Sequence, residues 1–500
     1  MPTIFEYYKP LRNLVRQIEL EESLFYCWQI ANYLCNYNNK LPDIDFKIQD
    51  KGKILDKNYF RLNVVSEWDL EFLVQEIIMD SPKRIYGKKK SIKNLDFRNN
   101  IVDKIRSLQD FSIKDSLVGD NVLIELNRMA HRQFLWQIEQ PYNLVYRYYR
   151  IFSYGILDDL VKKNTGFSTL ELMRIGLVFF IYFNYHHKIS FPPGNEISFI
   201  GKEIQIKFLS HYSKNLDEIK KLLIDNRKYD HTLFYNFNPL RSNPLIKLDN
   251  TIICPIPMFL LWQISSGIYY LILKEKQFDN EFGVAFQKYV LQILKKVLND
   301  NFMIYEEEVY GSPVKKTADI IMEDKSAIIF IECKTKRMTY NSKTQIDYSE
   351  IIESDIIKFA EGLTQLYKTI EEYKKNNYPN LKSKEEKKVY PLLITLENWY
   401  IGFNPKLIDQ LNIILQQKLA DNGLNIDLKS QPYYFRSVAE FEEDIQIIAQ
   451  KGIKSYFDQC DCRDGRQVFK DFNFQHIFAE EFLSIFQFKD GYKLTLSNSG

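Results

Sequence analysis

At 500 residues, with 45% hydrophobic and 15% aromatic content, the chain can bury substantial cores and falls outside the disordered and low-complexity classes. Lys and Arg number 67 against 65 Asp and Glu, so the overall field cannot recruit a polyanion, and any such partner must meet a local basic surface. Six cysteines scattered over this length exclude a disulfide-dense secreted scaffold.

The opening segment, MPTIFEYYKPLRNL, lacks the apolar core of a secretion signal; with the dispersed thiols it predicts a reducing, cytoplasmic setting. Residues 11–35, 68–79, 121–140 and 168–187 carry apolar side chains at helical spacing, so residues 1–245 are expected to be mostly α-helical. No chemistry stands out there. The adjacent His186 and His187 would point about 100° apart on a helix, which fits a structural pair better than metal ligation. Arg128, His131 and Arg132 have the composition of a phosphate site, yet such a charged side of an amphipathic helix is expected to be solvated. The densest basic run, SPKRIYGKKKSIKNLDFR at 81–98, reads equally as an exposed loop and as an anion-binding surface.

Residues 236–250, NFNPLRSNPLIKLDN, cluster Asn, Pro and Ser and mark a boundary between a helical region, 1–245, and a second region, 246–500. Residues 251–273 carry no formal charge and have the length of a bilayer span. Pro255, Pro257 and the polar cluster Gln263, Ser265, Ser266 and Gly267 instead favour a short extended lead-in and one buried helix, with no membrane partner. From residue 279 the rhythm changes: a helix over 279–300, strands over 301–311, 316–324 and 325–337, a helix over 347–373, a strand over 387–402 and a helix over 404–420 opened by Asn404-Pro405. That order predicts an α/β region around a mixed sheet. Cys460 and Cys462, one residue apart, are too close for a zinc knuckle and read as part of a loop.

The chemistry concentrates in TADIIMEDKSAIIFIECKTKR, residues 317–337. Alternation along a strand puts Glu332 and Lys334 on one face and Cys333 on the other, and a hairpin with the preceding strand brings Asp319 beside Glu332. Ionisable groups at the end of an apolar sheet need a partner, and two carboxylates suit a hard divalent cation such as Mg²⁺. A salt bridge of Glu332 with a lysine is the structural alternative. Glu-x-Lys spacing by itself is unspecific, since Glu218-Ile219-Lys220 and Glu386-Lys387-Lys388 share it; the acid in one apolar strand, the tight turn and the second strand give it meaning.

At these residues the chain resembles the PD-(D/E)XK nuclease superfamily, the restriction-endonuclease-like fold, over about residues 279–400. The resemblance implies that Asp319 and Glu332 are the two metal-binding acids, that the carbonyl of Cys333 completes the ligand set, and that Lys334 is the catalytic lysine; Ala318 stands at the name-giving proline. It implies a supporting role for Gln365 in the following helix, with Thr369 where a tyrosine is usual. Gln287 in FGVAFQKYV occupies the place of a helix glutamate, which puts a second metal ion in doubt; Glu281 is poorly placed to replace it, and one of Glu306, Glu307 or Glu308 is the expected compensation. The layout of residues 243–272 ahead of this segment is similar to that of large bacterial proteins of defence type.

The implied activity is Mg²⁺-dependent hydrolysis of phosphodiester bonds, with Mn²⁺ as a substitute and DNA favoured over RNA as substrate. No Gly-x-x-x-x-Gly-Lys-Ser/Thr loop is present, so an ATP-driven step would need a partner. The leading expectation is an endonuclease acting in anti-phage defence or restriction, its helical half recognising DNA, a partner protein or a second copy. Two others stand beside it: a nuclease-fold module of weak or no activity that binds nucleic acid or serves as a scaffold, and an interaction protein whose main function lies in residues 1–245. Lys336, Arg337 and Lys343 are expected to track a phosphate backbone.

Overall fold

The computed structural model describes residues 3–35, 40–47, 52–87, 89–114, 121–136, 141–344, 350–383, 386–459 and 472–486. Lys88, Cys460 and Cys462 lie outside the described residues.

The helical periodicity of the first half becomes a succession of helices, among them Ile4–Val15, Leu20–Leu34, Glu67–Asp80, Asn121–Gln133, Pro141–Phe152 and Thr169–Tyr185. Their starts are written in the sequence: Ser168 and Glu171 form a reciprocal capping box at the head of Thr169–Tyr185. The stretch 11–35 is broken, because Ile18 leaves the helix and forms a β-bridge with Lys90. A small four-stranded sheet follows, built from β1 (Lys188–Ser190), β2 (Ser213–Asn215), β3 (Leu245–Leu248) and β4 (Thr251–Ile253) in the order β1-β4-β3-β2. The β3–β4 hairpin, which starts at position 245 and extends beyond it, therefore pairs with two strands of the helical half.

The uncharged stretch after β4 forms two short helices, Pro257–Gln263 and Ile268–Ile272, where one was expected. Ser265 explains the break: its hydroxyl donates to the Leu261 carbonyl at 2.6 Å, a local bond that competes with the helix ladder. Among the described residues no single helix is long and apolar enough to cross a membrane. The pair Ile156–Thr165 and Thr169–Tyr185 reaches that length only together, is bent by 52°, and places Leu157, Val161, Leu172 and Phe179 in the apolar core.

The second sheet begins with β5 (Met303–Glu306), passes through a short ribbon of β6 (Val309–Tyr310) and β7 (Lys315–Lys316), and continues with β8 (Ile320–Glu323), β9 (Ala327–Lys334), β10 (Lys388–Thr395) and β11 (Tyr434–Ser437). Its order is β11-β10-β9-β8-β5, antiparallel from β5 through β9 and parallel from β9 through β11. The helix Glu350–Lys374 makes the crossover from β9 to β10, and Pro405–Asp421 makes the next, with the Asn404 side chain accepting from the Leu407 N–H as its cap. The expected α/β order and mixed sheet are thus present, with β11 as an additional strand.

Alternation along β9 sorts its residues between two cores. Ala327, Ile329 and Ile331 join the large cluster that contains Phe282 and Phe286 of the helix Phe278–Val297, whereas Ile328 and Phe330 pack with Leu366 and Ile370 of the helix Glu350–Lys374. The β8–β9 turn is closed by Asp324, whose Oδ1 accepts from the N–H groups of Ser326 (2.7 Å) and Ala327 (2.9 Å) and whose Oδ2 accepts from Ile453 N–H (2.8 Å).

The large cluster runs without interruption from Tyr8 to Phe486 and includes one face of the five-stranded sheet. Polar ties cross the same interface. Arg147 donates through Nε and Nη2 to the two oxygens of Glu442 at 2.9 and 2.8 Å, and Tyr289 adds its hydroxyl to Oε1 at 2.8 Å, joining three helices. Because this pair is buried, removing the carboxylate strands a guanidinium away from water; Glu442→Ala should cost about 3–5 kcal/mol in urea unfolding. The Lys295–Glu306 pair, 55% exposed on both sides, is the control: Glu306→Ala should change stability by about 0–1 kcal/mol.

Candidate active site

Asp319 directly precedes β8, and the ladder pairing Ile320 with Ile331 sets it across from Glu332 on β9. The Cys333 N–H donates to Asp319 Oδ2 at 2.7 Å, which fixes that carboxylate against the strand end. On the face turned to the helix Glu350–Lys374, Lys334 Nζ donates to Glu332 Oε1 at 2.9 Å and to Gln365 Oε1 at 3.0 Å. Asp319, Glu332, Lys334 and Gln365 are therefore brought together as the sequence predicted, while the Cys333 side chain points to the opposite core.

Gln287 supports the site in another way than the absent acid would. Its Nε2 donates to the Asp319 backbone carbonyl at 3.0 Å, so it positions the strand entry. Glu281 is turned away, its Oε2 lying close to Gly155. Of Glu306, which ends β5, and Glu307 and Glu308, which follow it, Glu307 is the one whose charge acts on both Asp319 and Glu332, and it is held by Lys316 at 2.9 Å. Glu306 pairs with Lys295, and Glu308 accepts from Asn380. Thr369 is buried and donates to the Leu366 carbonyl, away from the site.

The electrostatics follow from burial. Glu332 is 1% exposed, and burial, then the Asp319 charge, push its carboxyl up to about 8 against the pull of Lys334. Burial also raises Asp319, opposed by the Cys333 N–H and by Lys334. Burial alone would depress Lys334, but the charge and hydrogen bond of Glu332 together with Asp319 more than offset it, and the ammonium is held protonated. Glu332 Oε2 is buried without a hydrogen-bond partner. An orphaned carboxylate oxygen beside a second carboxylate fits a hard cation, with the Cys333 carbonyl as a third donor. Among the described residues no group of three His, Cys, Asp or Glu side chains is close enough to hold a metal by itself.

One supporting residue escaped the sequence reading. A Cβ on Gly362 would stand 3.2 and 3.3 Å from the Cε and Cγ of Lys334 and 3.1 Å from Leu393, so the glycine is what lets the lysine stem lie flat against the helix. The signal was a glycine inside a 25-residue helix, which costs ~1 kcal/mol relative to alanine and calls for a packing reason.

Other sequence candidates are placed differently. Arg128 and Arg132 are 1% and 8% exposed and so are not a solvated stripe, because the polar side of their helix faces the rest of the protein. His187 packs edge-on against Phe25 at 4.8 Å and His186 stacks on Tyr182 at 4.6 Å, a structural pair. The basic run is largely engaged within the chain: Lys89 bonds Glu19 and Glu22, Lys93 bonds Asp43, and buried Arg98 donates to the carbonyls of Ile92 and Lys93. Of the three cations after β9, only Lys336 is free to face a backbone, since Arg337 is buried and Lys343 is paired with Glu397.

No protein-family model matches the chain, and no curated protein or solved structure does either.

Glu332 binds its proton more tightly in the folded chain than in the unfolded one. Its contribution to stability is therefore fully present below the ordinary carboxylate range and is lost as pH rises to about 8. In urea unfolding without divalent cations, the native protein should lose stability relative to Glu332→Gln between pH 4.5 and 8; parallel pH profiles would refute the shift.

Proposed function

We propose that the chain is a metal-dependent nuclease that hydrolyses phosphodiester bonds, with DNA as the favoured polymer, and that it belongs with the PD-(D/E)XK enzymes. The observation that carries this reading is the convergence of Asp319, Glu332 and Lys334 at the end of β9, with a carboxylate oxygen of Glu332 left without a partner. The strand order β5-β8-β9-β10, preceded by one helix and interrupted by another, supports it as the order the resemblance implies.

Asp319 and Glu332, with the Cys333 carbonyl, would hold Mg²⁺ or Mn²⁺. When bound, such an ion polarises the phosphodiester and makes water a better nucleophile. Lys334, steered by Gln365, orients the attacking water and neutralises charge that develops on the phosphate. Gln287 holds the Asp319 main chain so that its carboxylate stays opposite Glu332. Lys316 and Glu307 set the charge at the mouth of the site. A role in defence or restriction, a cytoplasmic setting and a homodimer that cuts both strands are parts of the same proposal; the unpaired thiols of Cys27, Cys35, Cys254 and Cys333 favour a reducing compartment. The second reading, a nuclease-fold scaffold of weak activity, rests on Gln287, whose amide serves the main chain and brings no charge.

Two experiments test the proposal. Native protein with Mg²⁺ should nick or linearise plasmid DNA, EDTA should stop it, and Lys334→Ala should lower the rate by about 10²-fold or more; absence of cleavage of both DNA and RNA with Mg²⁺ and with Mn²⁺ overturns it. Gly362→Ala should lower cleavage at least tenfold by displacing the Lys334 stem while shifting stability by no more than about 1 kcal/mol; full activity in that variant would show that the glycine does not position the lysine.

A further inference from the structure

A cavity of about 480 Å³ lies between the helical half and the loops that follow β9 and β10, and none of Asp319, Glu332 and Lys334 lines it. Its size falls within the range of small-molecule sites, roughly 300–1,000 Å³. Six cations line it: Arg128, Arg132, Arg147, Arg241, Arg337 and Lys343. Four have carboxylates of their own: Arg128 pairs with Glu125 at 2.6 Å, Arg147 with Glu442 at 2.8 Å, Arg241 with Glu71 at 2.7 Å, and Lys343 with Glu397.

Arg132 and Arg337 have none within ion-pair distance among the described residues. Arg132 is 8% exposed; its Nη2 donates to the Trp68 carbonyl at 3.1 Å, its guanidinium stands 5.0 Å from the Phe234 ring centre, and its Nη1 has no partner. Arg337 is 7% exposed; its Nη2 donates to the Tyr148 hydroxyl at 3.2 Å, it lies 4.1 Å over the Tyr269 ring, and its Nε has no partner. The nearest acids, Asp69 and Glu71 for Arg132 and Glu397 for Arg337, act on them without direct contact, so each buried guanidinium is neutralised only in part, and two such groups with unpartnered N–H atoms facing one cavity call for an anion. Guanidinium forks match phosphate geometry, and the remaining walls are rich in large rings, including Trp68, Trp262, Tyr340 and Tyr400, which suit a flat ring.

We propose that this cavity binds a small phosphorylated ligand carrying an aromatic ring, a compound of the nucleotide class, held through its phosphates by Arg132 and Arg337. The site stands apart from the carboxylate site and does not depend on the nuclease reading. It nevertheless adjoins that site along the chain. Arg337 is three residues past Lys334, and the Leu396 N–H, beside Glu397, donates to the Lys334 carbonyl at 3.2 Å.

The test uses the full chain in EDTA with ATP, GTP, CTP and UTP as probes, each measured by equilibrium dialysis and by thermal shift, with adenosine and inorganic pyrophosphate as half-ligands. At least one triphosphate should bind saturably and more tightly than either half-ligand. Arg132→Met and Arg337→Met should each weaken it at least tenfold while the ligand-free chain stays folded, as its circular dichroism reports. Arg132→Lys and Arg337→Lys give the same comparison if a Met variant does not fold. Lys334→Ala should bind as the native chain does. No saturable binding of any triphosphate, affinity unchanged in all the arginine variants, or loss of binding in Lys334→Ala overturns the proposal.

Discussion

The structure depends on keeping one carboxylate, that of Glu332, almost wholly out of water at the end of a strand whose preceding residues are all apolar. Such a group is stable only if its surroundings neutralise it or keep it protonated, and here both occur. Lys334 supplies the charge, Asp319 competes for it, and the Cys333 N–H divides the load by holding Asp319. Gln365 reaches the lysine from one helix, and Gln287 holds the Asp319 main chain from another. The two helices on opposite faces of the sheet are thus tied to one pair of acids.

The helical half is joined to the sheet by a shared apolar core and by buried polar ties. A surface pair such as Lys295–Glu306 adds little, because water competes for both partners. Arg147, Glu442 and Tyr289 differ: each is satisfied by the others and none can turn to solvent. The Tyr400 ring packs edge-on against His131 at 4.9 Å, and Asn127 donates to the Trp399 carbonyl, so the segment after β10 is held by the helix Asn121–Gln133. Structure in one half therefore constrains the loops that carry Arg337 and Glu397 in the other.

Much of the α/β half was legible because β8, β9 and β10 carry apolar runs and the helix Pro405–Asp421 opens on a recognisable Asn-Pro cap. The grouping of Asp319, Glu332 and Lys334 followed from strand alternation and a short turn, both local properties. What failed was information about the second partner of a polar surface. The charged side of Asn121–Gln133 has the pattern of a solvated stripe, but pattern cannot say whether water or protein lies opposite, and Arg128 and Arg132 are buried. Arg337 failed for the same reason. β11 is only four residues long and owes its place to β10, and the break at Ile18 to a bridge with Lys90, distant pairings that no local period encodes. Gly362 was visible as an anomaly in a helix, without the lysine that explains it.

Asp324 gives the β8–β9 turn a further meaning. One carboxylate closes the turn and accepts from Ile453, and Gly452, with φ of 84°, would bring a Cβ to 3.1 Å from it. Because side chains alternate, a shift of one residue in this hairpin would exchange Cys333 for Glu332 on the polar face. The turn is exposed in part, the sort of place where chains commonly gain or lose a residue over evolutionary time. Here its length is pinned from a segment more than a hundred positions away, so descendants of this chain are free to vary the residue at the tip, Lys325, but not the number of residues that surround it.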